Sequence, residues 1–276
     1  MSSAGARLDD LIRIMATLRG PDGCPWDRVQ TLASLRPFLL EETYEALEAL
    51  DAGDPTGLRE ELGDLLFEIV FLARIAEEQG DFTIADAIDG VATKLVRRHP
   101  HVFGDADKLS QAEEVRGRWE ELKAAERTGS DKATTKTLLS GVPITLPALL
   151  RAYEYSSRAA TVGFDWIKAV DVLEKMEEEL REIRVAVESD IHSHEGTKAR
   201  RRDDLVEEEI GDLLFAIANL ARKLGVEPEA ALRRANDKFR ERFTAVEQRI
   251  EARGERLQDK SLEELEAEWQ GVKRRD

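Results

Sequence analysis

Two segments of this 276-residue chain nearly repeat each other. Glu60-Glu61-Leu62-Gly63-Asp64-Leu65-Leu66-Phe67 returns as Glu208-Glu209-Ile210-Gly211-Asp212-Leu213-Leu214-Phe215. Upstream of each lies a second acidic spacing, Glu41-Glu42-x-x-Glu45 and Glu178-Glu179-x-x-Glu182. Residues three or four apart share one face of a helix, so each copy can turn two pairs of carboxylates inward from neighbouring helices. Two like charges roughly 4 Å apart repel by about 4 kcal/mol at an effective dielectric near 20, so four clustered acids call for a cation. The repeat constrains fold and chemistry together.

Helical periodicity runs through the rest. Leu58, Leu62, Leu65, Leu66, Ile69, Val70 and Ala73 recur at i, i+3, i+4 and i+7, and Leu205, Ile210, Leu213, Leu214, Ile217 and Leu220 do so less regularly. No convincing alternation of the strand type is present, so the chain reads as all-α. Helices are expected near 37–51, 57–78, 83–98 and 110–127, then near 147–161, 170–188, 203–223, 228–253 and 261–274. The stretch 128–145, rich in Thr, Ser, Lys and Gly and closing on Gly141-Val142-Pro143, reads as a linker between domains 1–127 and 146–276. A polar segment from Ser189 to Asp204, with His192, His194, Lys198, Arg200, Arg201 and Arg202, separates the acidic helices of the second half. The first half spans the same connection with only Asp51 to Gly57. The halves are duplicated but not equivalent.

Bulk composition excludes several classes. A net charge of −16 argues against a nucleic-acid or anionic-membrane partner, which needs a basic face. A small phosphorylated substrate stays open, because a bound divalent metal reverses the local field. The lone Cys24 cannot form an intramolecular disulfide and fits a reducing cytosol. Met1 to Arg19 lacks a continuous apolar core and carries Asp9 and Asp10, unlike a signal peptide. No run approaches the roughly 18 apolar residues of a membrane span. The expectation is a cytoplasmic protein.

Within the second half, Glu179 and Glu182 share one helix face and Glu209 and Asp212 another. Carboxylate oxygens with no Cys or His nearby favour Mg²⁺ or Mn²⁺ over zinc. Glu178 and Glu208 are left to hold a second metal or to take a proton from an attacking water. Glu42, Glu45, Glu61 and Asp64 form the matching second metal set in the first half. Gly63 and Gly211 lie between paired acids, where a helix glycine costs about 1 kcal/mol relative to alanine. Tight packing and ligand approach are equal explanations for them. Lys238 and Arg242, spaced like Lys94 and Arg98, suit phosphate oxygens. Trp269 and Lys273 echo Trp119 and Lys123, and a tryptophan there suits either a core or a stacked base. No Glu-x-x-His accompanies the acids and no phosphate-cradling GxxxxGK[ST] loop occurs. The rival reading is a non-catalytic helical scaffold with a solvated acidic face, since 36% of residues are charged.

Further stretches complete a pattern: Gly23-Cys24-Pro25-Trp26-Asp27, Gln30-Thr31 and Arg97-Arg98-His99-Pro100-His101-Val102-Phe103 in the first half, and Gly163-Phe164-Asp165-Trp166, Ala235-Asn236-Asp237-Lys238-Phe239 and Trp269-x-x-x-Lys273 in the second. With the acidic motifs, they make nearly the whole chain resemble the MazG family of nucleoside triphosphate pyrophosphohydrolases in its two-domain form. The resemblance implies tandem helical bundles that form a homodimer. It implies Mg²⁺-dependent hydrolysis of an NTP or dNTP to the monophosphate and diphosphate, in nucleotide-pool control or house-cleaning. Carried over, the metal ligands are Glu179, Glu182, Glu209 and Asp212. Nucleotide contacts fall on Lys175, Glu178, Glu179, Leu205, Glu208, Asp212, Lys238, Arg242 and Trp269. The second half is expected to be catalytic, because it places Asn219 and Asn236 where the first has Phe71 and Ala92. The first half is then structural, regulatory or weakly active. A narrower all-α dUTPase or phosphoribosyl-ATP pyrophosphohydrolase is the remaining alternative.

Overall fold

The protein is described here from a computed structural model. It describes residues 3–104, 111, 115, 118, 137–188 and 196–274, the last span from 204 onward with side chains. Helices are numbered over these residues. The chain divides into a unit over Met1–Ala125 and a unit over Glu126–Asp276. No strand occurs among the described residues.

In the first unit, α1 (Ala4–Leu18), α2 (Pro25–Val29), α3 (Arg36–Ala52), α4 (Pro55–Gln79), α5 (Ile84–Arg98) and the short α6 (Pro100–Phe103) follow in order. The expected helices at 37–51, 57–78 and 83–98 are present; α1, α2 and α6 are additional. The Ser3 hydroxyl accepts the Ala6 N–H to open α1. Leu8, Leu11, Ile12 and Met15 then form an apolar stripe that packs on the core made by Leu35, Val70, Phe71 and Ile75. Asp54 caps α4 by accepting the Thr56 N–H, Pro55 suits its first turn, and Gly80 ends it at φ 77°. Thr83 and Asp86 cap α5 reciprocally. The broad α3–α4 packing, with α1 across α4, sets the acids of α3 against those of α4.

The second unit holds α7 (Ala148–Ala160), α8 (Ala169–Glu188), α9 (Gly196–Lys223), α10 (Pro228–Glu251), a 3₁₀ turn at Leu257–Asp259 and α11 (Leu262–Lys273). Its broadest packing is α8 on α9, with α7 across α9. A second apolar cluster joins Val246, Ile250 and Val272 to Leu257, Leu265 and Trp269. Two expectations shift. The end of the supposed linker is docked on this unit: the Arg158 guanidinium donates to the Ser140 carbonyl at 2.6 Å, and Val142 is buried. Its apolar Leu138, Leu139 and Val142 supply the reason. In addition, α9 starts at Gly196 rather than near 203, so the basic run is on its first turns. Most of the expected helix at 110–127, Trp119 and Lys123 included, lies outside the described residues, as do His192, His194 and the side chains of Lys198 and Arg200 to Arg202; residues 115 and 118 are helical.

Candidate metal and phosphate site

The helix pair α8–α9 brings one oxygen each of Glu179, Glu209 and Asp212 within 4.8 Å of one another. Glu179 is only 3% exposed. Its Oε1 receives Lys175 Nζ at 2.7 Å, while Oε2 is buried with no protein partner. Lys175 also reaches Glu178 at 3.1 Å. The Lys175 ammonium is held well above its ordinary pKa, chiefly by Glu179 and then Glu178. Burial, followed by the nearby charges of Glu182, Glu179, Asp212 and Glu208, pushes the Glu209 carboxyl up. Glu182 thus stands close enough to act on Glu209 electrostatically, but outside the tight triad.

A groove of about 390 Å³ adjoins the triad, with Glu178, Glu182, Leu205 and Glu209 among its lining residues. Arg181 lines it too. Sequence reasoning passed over that arginine, although its position three residues after Glu178 and one before Glu182 marks it as a neighbour of the acids. Glu208 is exposed beside Glu209. The remaining expected contacts lie on other elements. Lys238 is exposed on α10 and Arg242 half-buried one turn later. Trp269 on α11 sits 5.3 Å from the Phe239 ring, within the second apolar cluster.

The first unit repeats the arrangement with a different triad: Glu42, Glu45 and Glu61 converge within 4.8 Å. Asp64, the counterpart of Asp212, raises the carboxyl pKa values of Glu42 and Glu61 from outside it, after burial for Glu42 and after burial and Glu45 for Glu61. Several register positions differ between the units, Tyr44 against Arg181 among them. Phe38 stands where the second unit has Lys175, Glu68 where it has Ala216, and Phe71 where it has Asn219. Glu68 is 4% exposed with Oε2 unpartnered, and burial with the charge of Glu42 pushes its carboxyl up.

Mg²⁺ or Mn²⁺ fits the second unit's donors: all are hard carboxylate oxygens, and the orphaned Glu179 Oε2 is a buried acceptor that a cation would satisfy. Tight packing does not account for Gly63 or Gly211, since a Cβ added at either meets nothing of the chain within 4 Å.

A model of the MazG nucleotide pyrophosphohydrolase domain matches residues 30–103. The chain is 44% identical over 271 residues to a nucleoside triphosphate pyrophosphohydrolase of Escherichia coli, covering 98% of each chain. It is also 44% identical over 273 residues to the nucleoside triphosphate pyrophosphohydrolase/pyrophosphatase MazG of Thermotoga maritima, covering 99% of this chain and 98% of that one. The likeness spans 98% or more of this chain at 44% identity, and the chain belongs to the MazG family of nucleoside triphosphate pyrophosphohydrolases.

Proposed function

We propose that the second unit hydrolyses nucleoside and deoxynucleoside triphosphates between the α and β phosphates, giving the monophosphate and diphosphate. The observation that carries this reading is the convergence of Glu179, Glu209 and Asp212 on one point beside an open groove. A divalent cation held by these residues and Glu182 supplies charge neutralisation for the triphosphate and acidifies an attacking water. The protein's own groups do the rest. Lys175, 3.1 Å from Glu178 and 2.7 Å from Glu179, orients both carboxylates. Glu178 Oε1 faces Lys175, so Oε2 takes the proton as the water oxygen bonds to the α-phosphorus and diphosphate leaves. Glu208 is the second acid placed for that proton. Lys238, Arg242 and Trp269 are assigned to the phosphate tail and the nucleoside, with Leu205 at the groove wall.

The first unit, 1–127, serves a structural or regulatory role with a second cation site at Glu42, Glu45, Glu61 and Asp64. The protein acts as a homodimer in the cytoplasm. Leu62 and Leu66 on α4, and their counterparts Ile210 and Leu214 on α9, are exposed, and a second copy would cover them. No described helix is long and apolar enough to cross a membrane.

Chromatography of products formed from a panel of NTPs and dNTPs, with and without Mg²⁺, tests the activity. Monophosphate and diphosphate appearing only with metal supports it. Turnover confined to dUTP or phosphoribosyl-ATP points to the narrower hydrolases, and no metal-dependent nucleotide binding by calorimetry points to a scaffold.

A further inference from the structure

In the first unit the acids form a ladder between α3 and α4. Burial raises the carboxyl pKa values of Glu61, Glu42 and Glu68; the next cause is Glu45 for the first, Asp64 for the second and Glu42 for the third. Glu68 follows Asp64 by four residues, one turn farther along α4 and on the same face. It closes the ladder, outside the three residues whose oxygens converge. That convergence takes one oxygen of Glu42 and leaves the second uncommitted.

Glu68 is the odd member. A carboxylate that is 4% exposed ordinarily has its oxygens hydrogen-bonded, yet Oε2 meets no donor. Among the described residues, the ion pairs of this unit all end on Asp10, Glu77 or Glu78, and none on the ladder. The second unit meets the same need with its own side chain. There the Lys175 ammonium lies 2.7 Å from Glu179, the counterpart of Glu42, and a small Ala216 stands at the Glu68 position. The first unit changes both residues at once. Phe38 removes the ammonium, its ring meeting Trp26 edge-on at 5.8 Å, and Glu68 adds a carboxylate. A built-in positive charge is thus exchanged for a buried negative one, opposite an acid that both units keep. Such a reversal calls for a positive charge from solution.

We propose that Glu42 and Glu68 hold a divalent cation of their own, beside the one assigned to Glu42, Glu45, Glu61 and Asp64, with Glu42 bridging the two. The assignment rests on the cation site proposed for the first unit and adds a neighbour to it. Hard carboxylate oxygens suit Mg²⁺ or Mn²⁺, and water completes the coordination. The ion takes the part that the Lys175 ammonium plays in the second unit. With no lysine at the Phe38 position to receive phosphates, it binds without nucleotide and follows the free metal concentration. Because it binds the folded chain alone, it stabilises the first unit.

The test titrates Mn²⁺ into chelator-stripped, full-length protein without nucleotide and counts bound ions per chain from the free-ion electron paramagnetic resonance signal. Glu68→Ala copies the second unit; Glu68→Gln keeps the shape and removes the charge, so it secures the test if the alanine variant does not fold. Each is expected to bind one Mn²⁺ fewer than the parent, and the rise in unfolding midpoint that Mn²⁺ gives should shrink. Glu61→Gln should lose the neighbouring ion instead and keep the one that depends on Glu68. An unchanged count in Glu68→Gln means that a proton satisfies the pair, and it overturns the site. Loss of more than one ion in that variant also overturns it, because Glu68 would then belong to a single shared cluster. If Glu61→Gln loses no ion while Glu68→Gln loses one, the Glu68 ion stands and the four-acid site is the reading that fails.

Discussion

Set in register, the two acidic helix pairs share four carboxylates and differ in what surrounds them. Around Glu42, Glu45, Glu61 and Asp64 the chain adds a fifth acid, Glu68, and supplies Phe38 where the other unit has a lysine. Around Glu179, Glu182, Glu209 and Asp212 it supplies Lys175, a small Ala216 and an amide at Asn219. With Glu68 added, and Phe38 and Tyr44 in place of Lys175 and Arg181, these positions make the first site formally three charges more negative. On the proposed reading, a triphosphate would meet a helping ammonium at the second site and extra repulsion at the first. Duplication has kept the four carboxylates and let their surroundings diverge.

The largest effect on this contrast should come from Lys175→Met. Glu179 would remain buried with neither oxygen partnered, costing about 2 kcal/mol of stability in metal-free protein, a figure reduced because Lys175 is a third exposed. Calorimetric unfolding should show the loss and its partial recovery on adding Mg²⁺; an unchanged midpoint would strip the Lys175–Phe38 difference of meaning. Glu68→Gln should act in the opposite sense. Replacing a buried acid that has an unpartnered oxygen by a neutral amide is expected to stabilise the metal-free protein by about 1 kcal/mol in denaturant titration. Destabilisation would mean that Glu68 is already held by a ligand.

Gly63→Ala probes the exposed side of α4. In an isolated chain the added methyl meets nothing and should stabilise the helix by up to about 1 kcal/mol. In a homodimer closed over this face it should instead weaken association, read by light scattering across a dilution series. Dilution behaviour like the parent's together with a higher midpoint would remove this face from the interface.

The smallest effect is with pH. Glu209, Glu61 and Glu42 are held above the ordinary 4.5 by burial first and neighbouring acids second. Their charged forms are therefore disfavoured in the folded chain, a penalty present above the raised values and relieved as pH falls through them. Glu78 is depressed, mainly by its hydrogen bond from Arg19, so its stabilisation exists above 4.5 and is lost as pH falls through the lowered value. Metal-free protein should gain midpoint as pH falls from 7 through the raised carboxyl values and lose it at lower pH, as Glu78 is protonated. Saturating Mg²⁺ should flatten the gain. A midpoint that falls steadily from pH 7 would contradict mutual repulsion in the clusters.

Much of this was legible in the residues because two periodicities coincide. The helices that carry the acids were readable from Leu58 to Ala73 and from Leu205 to Leu220, and their stops from Pro55, Gly57, Gly225 and Pro228. α1 was not read, though Leu8, Leu11, Ile12 and Met15 have the same spacing; interleaved charges drew attention to what the segment was not. Which three acids of each four converge depends on rotamers, and spacing places all four on the facing sides alike. A cavity between α7 and α9 was also hidden. Asn219 stood out as an amide, but the lining of this cavity of the second unit joins residues 81 positions apart, from Leu138 to Asn219, and only packing unites them. Trp269, by type suited to a core or to a stacked base, lies half-buried against Phe239 and beside the second apolar cluster.

The most direct test of the division of labour is steady-state hydrolysis, with products resolved by chromatography, for Glu209→Gln and Glu61→Gln side by side at saturating Mg²⁺. The second-unit assignment predicts at least about a hundredfold loss of kcat for Glu209→Gln and less than about threefold for Glu61→Gln. Intact turnover in Glu209→Gln with activity abolished in Glu61→Gln would contradict it and move catalysis to the first unit.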